Sequence, residues 1–134
     1  MEKKHQHLIV RARVTSPPTN QQEVHDWLVD LVHSVGMNVM IGPVSAYSDV
    51  PGNEGITALV ALDFSHASVH IWPDYKDPLI EFDLFSCKEF DVNKVIDKLG
   101  QFGIISIATE FIDRDELENK TPKKCKCNDC KCNE

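Results

Sequence analysis

No stretch of this 134-residue sequence approaches the roughly 20 consecutive apolar residues of a membrane-spanning helix, and the opening MEKKHQHLIV lacks a signal peptide's apolar core. A soluble, cytoplasmic protein with no membrane partner is expected. Basic residues are also scarce, with 14 Lys and Arg against 21 Asp and Glu and a formal charge of -7. Phosphate backbones need clustered cations, so nucleic acid is not an expected partner. Cysteine is nearly absent until the end: Cys87 stands alone, while Cys125, Cys127, Cys130 and Cys132 crowd the last ten residues. A disulfide framework distributed through the fold is therefore excluded. The length and the 42% hydrophobic content suit one core.

What is present is clear periodicity. HLIVRARV, His7 to Val14, alternates with period two and reads as a strand. After Ser16, Pro17 and Pro18, Asn20 and Glu23 have capping-box spacing, and Val24, Trp27, Leu28, Leu31, Val32 and Val35 recur at helical spacing up to Gly36. Strands are predicted over Met37 to Tyr47, Ile56 to Asp63, Ala67 to Trp72 and Leu79 to Cys87, with turn-rich SDVPGNEG and PDYKDP between them. A second helix follows, capped by Asp91 and striped by Val92, Val95, Ile96, Leu99 and Phe102, and then a strand from Ile104 to Ile112. This order predicts an α+β two-layer sandwich, a mainly antiparallel sheet with two helices on one face. Residues 1–114 form the expected domain and 115–134 a flexible, Cys-rich tail. Thiolates at CKCNDCKC suit a soft metal, but only Lys, Asn and Asp surround them, so no metal site is expected.

Alternation also groups polar residues. Ser68, His70 and Trp72 project together, as do Glu81, Asp83, Phe85 and Cys87, and Thr57 opposes the apolar side of its strand. Thr57, His70 and Cys87 are thus expected on the face turned away from the helices. A hydroxyl, an imidazole and a thiol suit nucleophilic or proton-transfer chemistry, although a strand former, a sheet histidine and a small buried hydrophobe would read the same way.

The segment SHASVHIWPD, Ser65 to Asp74, followed by DLFSC, Asp83 to Cys87, resembles the bacterial and archaeal S-adenosylmethionine decarboxylases, in which Ser-His-x-x-x-His-x-Trp-Pro-Glu precedes Asp-Leu-Phe-Thr-Cys-Gly. The resemblance extends loosely from His7 to about Ile112. It implies a proenzyme that cleaves itself between Phe64 and Ser65, turning Ser65 into a covalent pyruvoyl cofactor that captures the amine of S-adenosylmethionine. The product would be the aminopropyl donor for spermidine. His70 matches a histidine that assists processing, Thr57 a serine with the same task, and Cys87 a thiol that protonates the decarboxylated carbon. Asp74 stands where a glutamate binds ribose hydroxyls, and Tyr47 where an aromatic stacks on adenine. A homodimer of cleaved protomers is implied.

The sequence departs from the family pattern at several positions. Phe64 replaces a Glu, Arg11 an acidic residue of the first strand and Lys88 a Gly, and a terminal Arg-Gly is missing from Ala108 to Arg114. Two alternatives stay open: a pyruvoyl-dependent decarboxylase of a free amino acid such as arginine or ornithine, and a relative that neither cleaves nor catalyses.

Overall fold

The apolar sides of the central alternating segments share one partner in a computed structural model of the chain, which describes residues 4–120. Six strands, β1 (Gln6–Val14), β2 (Val39–Ser48), β3 (Gly55–Leu62), β4 (Ser65–Trp72), β5 (Leu79–Ser86) and β6 (Ile104–Asp113), form one sheet in the order β2-β3-β4-β5-β1-β6. Every neighbouring pair is antiparallel. Helices α1 (Gln21–Ser34) and α2 (Val92–Gly100) lie on one face. A 3-10 helix covers Arg114–Asn119, running from the last residue of the expected domain into the expected tail, and the four clustered cysteines lie outside the described residues.

The helix ends follow from their capping residues. Asn20 Oδ1 accepts the Glu23 N–H at 2.9 Å, but the Glu23 carboxylate receives the N–H of Thr19, one residue earlier than in a capping box. At the other end Gly36 takes a left-handed φ of 78°. The N–H groups of Gly36 and Met37 then reach the carbonyls of His33 and Val32, which is the Schellman pattern. Met37 is buried immediately afterwards, so the short α1–β2 connection is fixed at both ends. Asp91 caps α2 by accepting the Asn93 N–H.

One core results. Leu8, Val10, Ala12 and Val14 of β1 join Ala58 and Val60 of β3, Val69 of β4 and Phe82 and Leu84 of β5 beneath Val24, Leu28, Leu31, Val95 and Leu99 of the helices. Trp27 ties the two helices together, donating its indole N–H to the Lys98 carbonyl at 3.0 Å and packing edge-on to Phe82. Burial on one side and exposure on the other is what period two dictates, and it leaves a whole sheet face without helices.

Replacing Leu28, which is fully buried, by Ala is expected to lower the unfolding free energy by about 2–5 kcal/mol. The same truncation at Ile41, exposed on the edge strand, is expected to change it by no more than about 0.5 kcal/mol. Urea denaturation of the two variants measures both.

Candidate active site

The register across the open face sorts its polar residues into rows. One row runs Ala46, Thr57, His70, Glu81, Arg11 and Ala108. Within it Thr57 Oγ1 and His70 Nδ1 are 3.0 Å apart, and Arg11 Nη1 donates to Glu81 Oε1 at 2.7 Å. In the next row Asp83 accepts the hydroxyl of Ser68, and its second oxygen lies 2.8 Å from Nε2 of His7. Asp83 therefore fixes two side chains at the middle of the face.

A further row holds His66, Phe85 and His7. The Phe85 ring takes the Arg114 guanidinium over its face at 4.5 Å, with His5, His7 and His66 packed around it. Beside this cluster is an open groove of about 700 Å³ lined by Phe64, Phe85, Cys87, His5, Arg114 and Glu118. Cys87 thus lines a space large enough for a small-molecule reactant.

Ser65 begins β4 directly after a two-residue turn, Asp63 and Phe64, that closes the β3–β4 hairpin through the Leu62 and Ser65 pair. Phe64 occupies the left-handed region with φ 61° and is 83% exposed. A bulky residue there is strained by roughly 1–2 kcal/mol, and its ring recovers almost nothing by burial. The hydroxyl of Ser65 donates to the Asp63 carbonyl at 3.4 Å. Asp63 in turn is joined to Asn38 through its backbone N–H and both carboxylate oxygens. The Asn38 N–H is the main reason that the Asp63 carboxyl lies below its ordinary value of 3.8, with a smaller contribution from the nearby charge of Lys88. A carboxylate whose pKa is lowered by folding stabilises the fold above the ordinary value. That contribution disappears as pH falls through the lowered one.

The expected residues consequently divide. Thr57 and His70 are paired. Cys87 shares the groove with the residue before Ser65. Ser65, however, lies five residues from His70 on the same strand, about 16 Å at roughly 3.3 Å per residue. Its alternation also places it with Ala67, Val69 and Ile71, whose side chains are buried on the helix side. Cys87 is equally remote, since His70 is level with Glu81 six residues earlier. One chain does not assemble Ser65, His70, Thr57 and Cys87 around a single point.

Two other expectations place differently. Tyr47 pairs with Ile56, whose side chain is buried on the helix side, so Tyr47 lies on the opposite side of the sheet from Thr57 and His70. The two register shifts of β2, at Val39/Ile41 and Ile41/Val44, cancel in their effect on facing, since Val39 likewise pairs with a buried residue, Leu62. Asp74 sits exposed in the turn after β4, beyond Trp72, and Trp72 stacks between His70 and Tyr75. Pairings not expected from sequence also enter the site: His7 with Asp83, Arg11 with Glu81, and Arg114 over Phe85. Alternation had put Glu81 and Asp83 on this face, but their partners are fixed by a register between strands about 70 residues apart.

These features define an α+β sandwich with one open polar face, and the same fold is seen in the crystal structure of the adenosylmethionine decarboxylase from Aquifex aeolicus VF5. That structure is 19% identical, aligns over 92% of this chain and 100% of its own, and gives a TM-score of 0.66. The family model described as S-adenosylmethionine decarboxylase matches residues 6–115, and the chain belongs to that family. No curated protein sequence matches it.

Substituting Phe64 by Gly in a Ser65→Ala background removes the left-handed penalty while losing little burial. The double variant is expected to exceed Ser65→Ala in unfolding free energy by about 0.5–1 kcal/mol in urea titrations.

Proposed function

We propose that the chain is a proenzyme that cleaves its own backbone between Phe64 and Ser65 and then decarboxylates S-adenosylmethionine in the cytoplasm, supplying the aminopropyl donor for spermidine. Family membership supports the reaction class. The single observation that carries the self-cleavage is the strained, exposed Phe64 turn immediately ahead of a serine, opening onto the groove that holds Cys87.

Attack by Ser65 Oγ on the Phe64 carbonyl carbon forms an ester as the C–N bond breaks and the hydroxyl proton passes to the freed amine. Only rotation about the serine Cα–Cβ bond is needed to swing the hydroxyl from the Asp63 carbonyl toward that carbon, because the attack closes a five-membered ring. Loss of the Ser65 α-proton then expels the Phe64 carboxylate. The remaining terminus, once hydrolysed with release of ammonia, is a pyruvoyl group. Residue 65 fits such a group: it opens a strand, and the cleaved turn ahead of it leaves a free end at the groove. When formed, a pyruvoyl ketone supplies an electrophile for the substrate's amine and a sink for the electrons released with carbon dioxide.

His70, with Nδ1 against the Thr57 hydroxyl, is a fixed base for the α-proton. Cys87 is the proton donor to the decarboxylated carbon, and Asp74, in the turn beyond Trp72, is the candidate for the ribose contact. Because His70 and Ser65 are far apart in one chain, the complete site is proposed to form in a homodimer, with Ser65 and Cys87 from one protomer facing Thr57 and His70 of the other. The open face supports this. Ile9, Val44 and Leu59 are exposed in the row that also contains Ser68 and Asp83, and an uncovered apolar patch on a sheet favours association.

The Arg11 and Glu81 ion pair beside His70 favours a second reading, in which the substrate is a free amino acid such as arginine or ornithine. Carbon dioxide release from each of the three substrates separates the two.

Intact mass of the purified wild-type chain is expected to show two fragments, and Ser65→Ala a single uncleaved species. Cys87→Ala is expected to cleave but to lose most of its turnover. Co-expression of Ser65→Ala with His70→Ala should restore about a quarter of wild-type activity, since half of the dimers then carry one intact site of two. Full activity from a strictly monomeric species would overturn the shared site.

A further inference from the structure

The turn that precedes Ser65 is held from outside its own hairpin. We propose that Asp63 is a positioning residue for self-cleavage, using Asn38 as its anchor and Lys88 as a brace, and presents the Phe64–Ser65 peptide to the serine hydroxyl. This rests on the cleavage reading above and adds to it a residue that the family motif segments do not contain.

Three hydrogen bonds join the two residues. The Asp63 N–H donates to the Asn38 carbonyl at 3.2 Å, the Asn38 N–H to Asp63 Oδ1 at 3.3 Å, and Asn38 Nδ2 to Asp63 Oδ2 at 3.5 Å. Asn38 has a firm footing because Met37 before it is buried and the Schellman bonds fix Gly36 and Met37 on the end of α1. Lys88, next to Cys87, donates its ammonium to the Gly36 carbonyl. The three-residue connection Gly36 to Asn38 therefore grips both the turn ahead of Ser65 and the segment bearing Cys87.

The consequence for the chemistry is geometric. An L-residue such as Phe64 leaves the left-handed region unless its surroundings over-determine it. The ring of Phe64 is exposed and does not hold it, so the restraint comes from Asp63 on one side and the β3–β4 ladder on the other. With the turn held, the serine hydroxyl has one rotation to make. With the turn released, Phe64 relaxes and the carbonyl carbon moves away from Oγ, and misplacement of about 1 Å costs up to about a hundredfold in rate.

The test follows chain cleavage by intact mass in full-length protein, with and without hydroxylamine, which captures the ester. Asp63→Ala is expected to cleave at least about tenfold more slowly, and hydroxylamine should not rescue it, because the defect precedes ester formation. His70→Ala, blocked at elimination, should be rescued. Asp63→Asn retains an oxygen for the Asn38 N–H and is expected to stay within about threefold of wild type. If Asp63→Ala does not fold, Asp63→Glu moves the carboxylate one methylene out of register and should be slowed similarly. Wild-type rates in Asp63→Ala or Asp63→Glu, or hydroxylamine rescue of either, would overturn the proposal. A wild-type chain that never cleaves removes the cleavage reading itself, whereas a wild type that cleaves beside an equally fast Asp63 variant removes only this inference.

Discussion

Burial on one side only is the constraint from which this molecule follows. Two helices of 14 and nine residues cover a single face of a six-stranded sheet, so alternate side chains of every central strand are committed to the core and the others to the open face. A one-residue slip of any strand would move Leu, Val and Ile into water and Asp83, Glu81 and His70 into the core, at a cost no surface contact could offset. That commitment keeps Thr57 opposite His70 and Arg11 opposite Glu81. Reactive geometry on the open face is inherited from packing on the hidden one.

The two ends of the open face then take on separate tasks. Thr57 and His70 occupy one end, where the proposed reaction has its base, and the Phe64 turn, Cys87 and the Phe85 cluster occupy the other, where the proposed reaction has its scissile peptide and its thiol. Neither end is sufficient for the proposed chemistry. A second copy related by a two-fold axis would supply what each lacks, which gives the exposed apolar row of Ile9, Val44 and Leu59 a purpose beyond chance exposure.

Much of this was legible in the residues themselves. Both helices begin at the expected caps, since Asn20 and Asp91 act within three residues along the chain, and all six strands appear within about two residues of their predicted ends. The α+β sandwich followed from element order. Pairings such as Asp63 with Asn38, His7 with Asp83 and Arg11 with Glu81 were not legible, because they depend on which strands are neighbours and in what register. Tyr47 shows the same limit: its side of the sheet follows from its pairing with buried Ile56, a register between strands that alternation within β2 does not state. The separation of Ser65 from His70 could have been anticipated, as five residues of strand is a fixed length whatever the fold.

The outer strand β2 has one more property that follows from its irregularity. Its ladder breaks at two points, and Pro43 has no N–H to offer a neighbouring chain. A strand interrupted in this way is a poor template for adding another strand alongside, so stacking of sheets edge to edge into fibres is discouraged.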